Sequence, residues 1–178
     1  MTRLEDKLLK GLTLLAFAFI SACASFSPYT TAANQGDLSF IDSYLAEGGE
    51  VDQRDGFGNT ALYQAAKTGQ LAVLERLLEA GADPGLKVGE QGDTALLAAA
   101  ASTVDGDKMV AALLHAGANA EQSDISGVTP LWSAVEANNL DAARLLIDAG
   151  ANPNEMVHGY TPLMLAAHNK YSDMVKLL

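Results

Sequence analysis

Residues 127–151 read GVTPLWSAVEANNLDAARLLIDAGA, and this stretch decides the fold. The hydroxyl of Thr129 can cap the start of a helix, and Pro130 fits the first helical position because the amide there has no partner within the helix. The pair Leu145-Leu146 is expected to face a core from a second helix. Gly150 can adopt the left-handed conformation that ends a helix at little cost. The stretch therefore predicts two helices joined by a turn.

The same marks recur along most of the chain. A Gly-Gly or Gly-Ala pair occupies positions 48–49, 81–82, 117–118 and 150–151, and Thr-Ala-Leu or Thr-Pro-Leu occupies positions 60–62, 94–96, 129–131 and 161–163. A recurrence every 33 to 36 residues is typical of a repeat protein, in which each unit buries its apolar side against its neighbours. Alanine and leucine far outnumber valine and isoleucine, which also favours helices over strands.

These residues resemble the ankyrin repeat, whose pattern opens on Asp, Gly and Thr at fixed spacing. Asp55-Gly58-Thr60 and Asp124-Gly127-Thr129 match that opening, whereas Gly89 and Met156 stand at the Asp position of two other units. The resemblance implies an all-α solenoid of stacked helix-turn-helix units with β-turn finger loops. The family's histidine after Thr-Pro-Leu, and its hydrogen bond to Thr, are absent, since Tyr63, Leu97, Trp132 and Met164 occupy that position.

The marks divide residues 27–178 into five units. We expect an N-terminal cap repeat over 27–54, repeats over 55–87, 88–123 and 124–155, and an incomplete repeat over 156–178. Two extra residues near 102–107 should lengthen the turn between the helices of the second full repeat. Apolar residues near position 178 suggest a fragment of a longer reading frame, an expectation that a stop codon directly after Leu178 would refute.

The first 26 residues predict an export signal. A weakly basic start precedes the apolar run 11–20, which is shorter than the roughly 20 residues that span a bilayer. Ile20-Ser21-Ala22-Cys23 resembles the lipobox of bacterial lipoproteins, which implies a signal peptide over 1–22, a short linker over 23–26 and a membrane anchor on lipidated Cys23. Ala24 after the cysteine implies sorting to the periplasmic side of the outer membrane. Cleavage by ordinary signal peptidase after Ala24 stays open and would give a soluble periplasmic protein.

Composition limits the classes of partner. The chain of 178 residues is 49% hydrophobic, too apolar for intrinsic disorder, and carries 11 basic against 22 acidic residues for a formal net charge of −11. This balance argues against a nucleic-acid partner and favours a basic protein partner. The single cysteine excludes an internal disulfide and a cysteine-based zinc site.

The sequence offers little chemistry. Gly56 to Ala61 fits a loose dinucleotide fingerprint but follows no predicted strand, and no serine lies in a nucleophile elbow. We therefore predict neither an enzyme nor a bound cofactor. A less favoured alternative is a metal or small-ligand site near His158 and His168, with Glu136 of the neighbouring repeat close by.

The family resemblance implies a protein–protein interaction module that binds through its loop tips and first helices. Apolar residues at predicted tips favour that interpretation, although tips that pack on one another remain an alternative. The leading interpretation is an envelope lipoprotein, and the alternative is a soluble periplasmic accessory to another enzyme. The residues mapped to this surface are Phe57, Asn59, Lys67, Gln91, Asp93, Ile125, Ser126, Val128, Glu136, Val157, His158, Tyr160 and His168.

Overall fold

A computed structural model describes residues 27–178 of the chain. The expected signal peptide over 1–22, the linker over 23–26 and lipidation at Cys23 lie outside these residues. Within them the chain forms ten helices. In chain order these are α1 (Pro28–Gln35), α2 (Leu38–Ala46), α3 (Ala61–Thr68), α4 (Leu71–Glu79), α5 (Ala95–Ala101), α6 (Gly106–His115), α7 (Pro130–Glu136), α8 (Leu140–Asp148), α9 (Pro162–His168) and α10 (Ser172–Leu177).

The helices form five hairpins that stack in two layers. Odd-numbered helices contact one another in the order α1, α3, α5, α7 and α9, and we call them the inner helices. Even-numbered helices, from α2 to α10, form the outer layer in the same order. This confirms the all-α solenoid of helix-turn-helix units that the repeats predict.

A threonine caps the N-terminus of four of the five inner helices. The side-chain oxygens of Thr60, Thr94 and Thr129 accept hydrogen bonds from the backbone amides of Tyr63, Leu97 and Trp132 at 3.2–3.3 Å. Each cap satisfies one of the amides that a helix start leaves without a partner. Thr161 does the same for α9 through the amide of Met164.

Three of the outer helices, α4, α6 and α8, have a fully buried leucine at an equivalent position. Leu77, Leu113 and Leu146 occupy equivalent positions and have no solvent-accessible surface. The sequence predicts that the pair Leu145-Leu146 faces the core; Leu146 is fully buried, whereas Leu145 is half-buried and packs against the edge of the core. The two neighbours lie about 100° apart around the helix, so both cannot point into the same layer.

The turns between paired helices differ in length as the sequence predicts. In the first two hairpins the turn is two residues long and begins at Gly36 or Gly69, each with a positive φ, of 77° and 74°. Between α5 and α6 four residues, 102–105, form the turn, and Asp105 there has a φ of 48°. The two extra residues of this repeat are thus absorbed in the turn and leave the stacking of its helices unchanged.

Candidate protein-binding surface

Four finger loops connect each hairpin to the next and lie beside the starts of α3, α5, α7 and α9. In the first and third fingers an aspartate holds the loop. Asp55 Oδ1 accepts hydrogen bonds from the backbone amides of Phe57 and Asn59, both at 2.9 Å. Asp124 Oδ1 accepts the equivalent amides of Ser126 and Val128 at 2.8 and 2.9 Å. One carboxylate therefore fixes the backbone of each of these two tips.

The other two fingers lack that aspartate and close through their backbones instead. Val88 and Asp93 exchange two hydrogen bonds at 2.8 and 3.1 Å, and Val157 and Tyr160 exchange two at 2.9 and 3.0 Å. His158 and Gly159 between the second pair both have positive φ, 51° and 85°, as a tight two-residue hairpin turn requires. In the two fingers that have Gly89 or Met156 at the aspartate position, backbone hydrogen bonds thus take the place of the aspartate's bonds.

Side-chain hydrogen bonds link the first three fingers to one another. The guanidinium of Arg54 donates to the carbonyl of Gly58 in its own finger at 2.7 Å and to that of Lys87 in the next at 3.0 Å. The ammonium of Lys87 in turn donates to the carbonyl of Ser123 at 2.7 Å, one repeat further on. These charge-assisted bonds fix the spacing of the fingers before any ligand binds.

Large apolar side chains lie exposed at three finger tips. Phe57, Ile125 and Tyr160 are each more than half exposed, as the sequence predicts for tip residues. Val128 is half-buried. Val157 differs from the prediction of an exposed tip, because it is 1% exposed beneath its hairpin turn.

A groove of about 270 Å³ lies between the fingers and the inner helices. It brings together Lys67, Asp93 and Val128 of the predicted surface. Side chains from three consecutive repeats line it, namely Tyr63, Lys67, Asp93, Leu97, Ala98, Ala101, Ser102, Asp124, Val128 and Ser133.

Tyr63 is the centre of the polar contacts in the groove. Its hydroxyl donates to Asp93 Oδ2 at 3.1 Å, across one repeat, and the ammonium of Lys67 lies 5.7 Å from the centre of its ring. Burial, and then the Asp93 carboxylate, raise the pKa of Tyr63 to about 12. The phenol therefore stays protonated and holds the Asp93 carboxylate in place at neutral pH.

Sequence reasoning missed Tyr63, Asp124 and Ser133 as groove residues. Tyr63 stands where the repeat pattern has histidine, and the sequence interpretation recorded only the lost Thr–His bond. A phenol at that position, one turn before Lys67 on the inner helix, is the signal that could have found it. Asp124 was assigned to its turn, and it does hold that turn while also lining the groove.

The remaining predicted residues lie outside the groove. Gln91 is exposed, and its carbonyl accepts the amide of Ile125 from the next finger at 2.9 Å. Glu136 and His168 are exposed at the ends of α7 and α9, and His158 is exposed on its turn. Asn59 is half-buried and donates to Asp55, while Ser126 is exposed.

Two further features are absent from residues 27–178. No group of three or more His, Cys, Asp or Glu side chains is placed there to hold a metal ion. In the same part of the chain, no helix has the length and apolarity needed to cross a bilayer.

Comparison with known proteins agrees with this geometry. The sequence profile of ankyrin repeats, in three copies, matches residues 30–124 and 100–178. The chain belongs to the ankyrin repeat family.

Relatives of several kinds share these ankyrin repeats. The chain is 33% identical to "Ankyrin repeat and KH domain-containing protein mask-1" of Caenorhabditis elegans, over 84% of this chain and 6% of that protein. It is 31% identical to the mitochondrial disaggregase of Bos taurus, over 94% of this chain and 25% of that protein. The ankyrin repeat protein YahD of Escherichia coli (strain K12) is 27% identical over 84% of this chain and 93% of its own length. The chain thus spans a quarter or less of the first two relatives.

Proposed function

We propose that the chain binds a protein partner through the groove and the finger tips beside it. Ankyrin repeats generally mediate the binding of proteins, and this chain carries them over residues 30–178. The observation that carries the proposal is the combination of one groove lined by three repeats with exposed aromatic and aliphatic tips next to it. Protein interfaces usually combine aromatic and aliphatic anchors with polar and charged groups at their rim.

The charge of the groove supports a basic partner segment. Two carboxylates, Asp93 and Asp124, line it against the single ammonium of Lys67, and the whole chain carries a net charge of −11. A lysine or arginine side chain from the partner would be attracted to the carboxylates, and its stem could lie along Leu97 and Ala98. We therefore propose a partner segment that combines a basic side chain with apolar residues on either side.

The experiment is a pull-down from an envelope extract with a triple tip variant. Phe57→Ser, Ile125→Ser and Tyr160→Ser together should abolish capture of the partner, because they remove the exposed anchors. The melting temperature should change little, since none of these side chains is buried. Val104→Ser is the matched control, because Val104 is equally exposed but lies in the turn between α5 and α6. Capture that survives the triple variant, or that is lost equally with Val104→Ser, contradicts the proposal.

We further propose that the protein acts at the bacterial cell envelope as a lipoprotein anchored through Cys23. The support is the sequence alone, which has an apolar run over 11–20 followed by Ile20-Ser21-Ala22-Cys23. Several acyl chains on one residue anchor a protein durably, since each buried CH₂ contributes about 0.8 kcal/mol.

Mass spectrometry of the mature N-terminus tests this localisation. A lipoprotein begins at Cys23 with acyl groups attached, and Cys23→Ser should release it from the membrane fraction. A mature chain that begins at Ser25 without acyl groups would contradict the anchor and support the soluble periplasmic alternative.

A further inference from the structure

In the first finger both oxygens of the Asp55 carboxylate accept hydrogen bonds from within the protein. Oδ1 accepts the two backbone amides of its own finger. Oδ2 accepts hydrogen bonds from the side-chain amide of Asn59 at 3.3 Å and from the hydroxyl of Thr30, one repeat earlier, at 3.4 Å. The residue is buried. This carboxylate therefore serves the fold and is not available to a ligand.

The equivalent carboxylate of Asp124 in the third finger lacks half of these donors. Its Oδ1 accepts the same two backbone amides, at 2.8 and 2.9 Å. Leu97 occupies the position of Thr30, Val128 occupies that of Asn59, and neither side chain can donate a hydrogen bond. Among the described residues no hydrogen bond or ion pair reaches Oδ2 of Asp124. Because Asp124, Leu97 and Val128 all line the groove, this oxygen is available to a ligand there.

Asp93 on the neighbouring finger supplies a second such oxygen. Its Oδ2 accepts the hydroxyl of Tyr63 at 3.1 Å, and in the part of the chain that the structure describes nothing bonds to its Oδ1. The ammonium of Lys67 lies over the ring of Tyr63 and, within the same residues, forms no ion pair with either groove carboxylate. The two fingers are joined by the bond from the amide of Ile125 to the carbonyl of Gln91, which fixes the spacing of their carboxylates.

We propose that the groove takes the guanidinium of an arginine side chain from the partner, which bonds to Asp93 Oδ1 and Asp124 Oδ2 together, and that Tyr63 positions Asp93 for it. This inference rests on the proposed function and names the side chain that the groove selects. A guanidinium has five donors in one plane and can serve two carboxylates at once, whereas the ammonium of lysine is a compact point charge. At about 270 Å³ the groove is slightly smaller than pockets for whole small-molecule ligands, roughly 300–1,000 Å³, and suits a single side chain.

Two probes of equal charge test this selection. Nα-acetyl-arginine amide and Nα-acetyl-lysine amide each carry one positive charge, and an NMR titration of the full chain follows the backbone amides of the fingers. The arginine probe should bind about tenfold more tightly, because only the guanidinium can bond to both carboxylates. Its shifts should lie in the second and third fingers and spare the first. Equal affinity of the two probes, shifts centred on the first finger, or no shifts with either probe would overturn the proposal.

Val128→Asn gives the third finger the donor that the first one has. It places a side-chain amide where Asn59 stands and changes no charge. Occupation of Asp124 Oδ2 by this amide should lower the affinity for the arginine probe to that for the lysine probe. An unchanged preference for arginine in this variant, with an unchanged melting curve, would contradict the assignment of that oxygen.

Tyr63→Phe tests the positioning of Asp93. The variant keeps the ring and removes only the hydroxyl, so it should weaken binding of the arginine probe and leave that of the lysine probe nearly unchanged. A merely structural role of Tyr63 predicts equal losses for both probes and would overturn its assignment as the positioning residue. Asp141→Asn is the control, because it removes one negative charge on the outer helix α8 and should preserve the preference for arginine.

Failure of this inference can be told apart from failure of the proposed function. The triple tip variant leaves Tyr63, Asp93 and Asp124 unchanged. If that variant abolishes capture of the partner while the unchanged chain shows no preference for the arginine probe, protein binding stands and the arginine site is overturned.

Discussion

At the residue scale, the four fingers show two solutions to one backbone problem. Asp55 is buried, and its carboxylate accepts bonds from two backbone amides, from the side chain of Asn59 and from the hydroxyl of Thr30 at 3.4 Å. The finger of His158 and Gly159 has no such group and pairs Val157 with Tyr160 through the backbone. The tips are thus held in position either by a carboxylate or by a hairpin turn.

Replacing Asp55 should cost stability because its buried carboxylate accepts several hydrogen bonds that hold the first finger. Asp55→Ala removes the oxygens that accept these hydrogen bonds, and a loss of about 1–3 kcal/mol of unfolding free energy is expected. Asp55→Asn keeps one oxygen and should cost less. Urea unfolding of both variants measures the difference. Equal stability of Asp55→Ala and the unchanged chain would show that the carboxylate does not hold this finger.

Tyr63 gives a prediction in alkaline solution. Its pKa is raised to about 12 by burial and by Asp93, against a pKa of about 10 for a tyrosine in the unfolded chain. The folded protein therefore keeps a proton that the unfolded chain loses, so the contribution of Tyr63 is complete below pH 10 and is lost as the pH rises towards 12.

A spectrophotometric titration of phenolate absorbance checks this contribution. The unchanged chain should show a late-titrating group that Tyr63→Phe removes. The pKa of Tyr29 is also raised, chiefly by burial, so the variant should retain that second late titration. Ionisation of every tyrosine together near pH 10 would contradict the buried Tyr63–Asp93 contact.

The residue scale also shows where sequence reasoning stops. The repeat pattern predicts Phe57 and Ile125 correctly at exposed tips. Phe57 lies two residues after Asp55 and Ile125 lies one residue after Asp124, and these aspartates fix the two loops. It misplaced Val157, because a two-residue turn puts the residue before it under the finger and not at its tip. No periodic signal distinguishes these two loop geometries. The two geometries differ at the position of the aspartate, which is Gly89 in one finger and Met156 in another. Where the aspartate is missing, the finger closes through backbone hydrogen bonds, which the sequence pattern does not reveal.

At the element scale, the hairpins follow from local signals that agree with one another. Threonine at the cap, alanines at 65 and 66 that have no exposed surface, and glycine at the turn each favour the same helix boundaries. The helices could therefore be predicted closely from sequence. The register of α8 could not be read from the Leu145-Leu146 pair alone, because either leucine satisfies the pattern, and the packing against α6 and α10 decides between them.

Truncation of the outer-helix leucines tests that register. Leu146→Ala removes a fully buried side chain and should lower the unfolding free energy by about 2–5 kcal/mol. Leu145→Ala, one residue away and half-buried, is the matched control and should cost clearly less. Denaturant unfolding compares the two. A larger loss for Leu145→Ala would mean that α8 is rotated relative to the structure.

At the scale of the whole molecule, the array presents one acidic, pre-spaced surface. Its fingers are linked from Arg54 to Ser123 by charge-assisted bonds, and the whole chain carries a net charge of −11. Electrostatic attraction to a basic partner acts over roughly 10 Å at 0.1 M salt and weakens as salt is added.

Salt dependence is therefore a direct prediction for the complex. The affinity for the captured partner should fall as sodium chloride is raised, chiefly through slower association. Surface plasmon resonance at several salt concentrations measures both rates. Asp93→Asn should reduce the salt dependence, whereas Asp141→Asn on the outer helix α8 should not. An affinity that is insensitive to salt would contradict the basic partner.

The central claim is that the groove and finger tips together form the binding surface. Hydrogen exchange of the chain alone and in complex with its captured partner tests that claim most directly. The account predicts slower exchange in the fingers over 55–60, 88–94, 124–129 and 157–160 and in the inner helices α3 and α5, with the outer helices unchanged. Protection confined to the outer helices α4, α6 and α8 would contradict it.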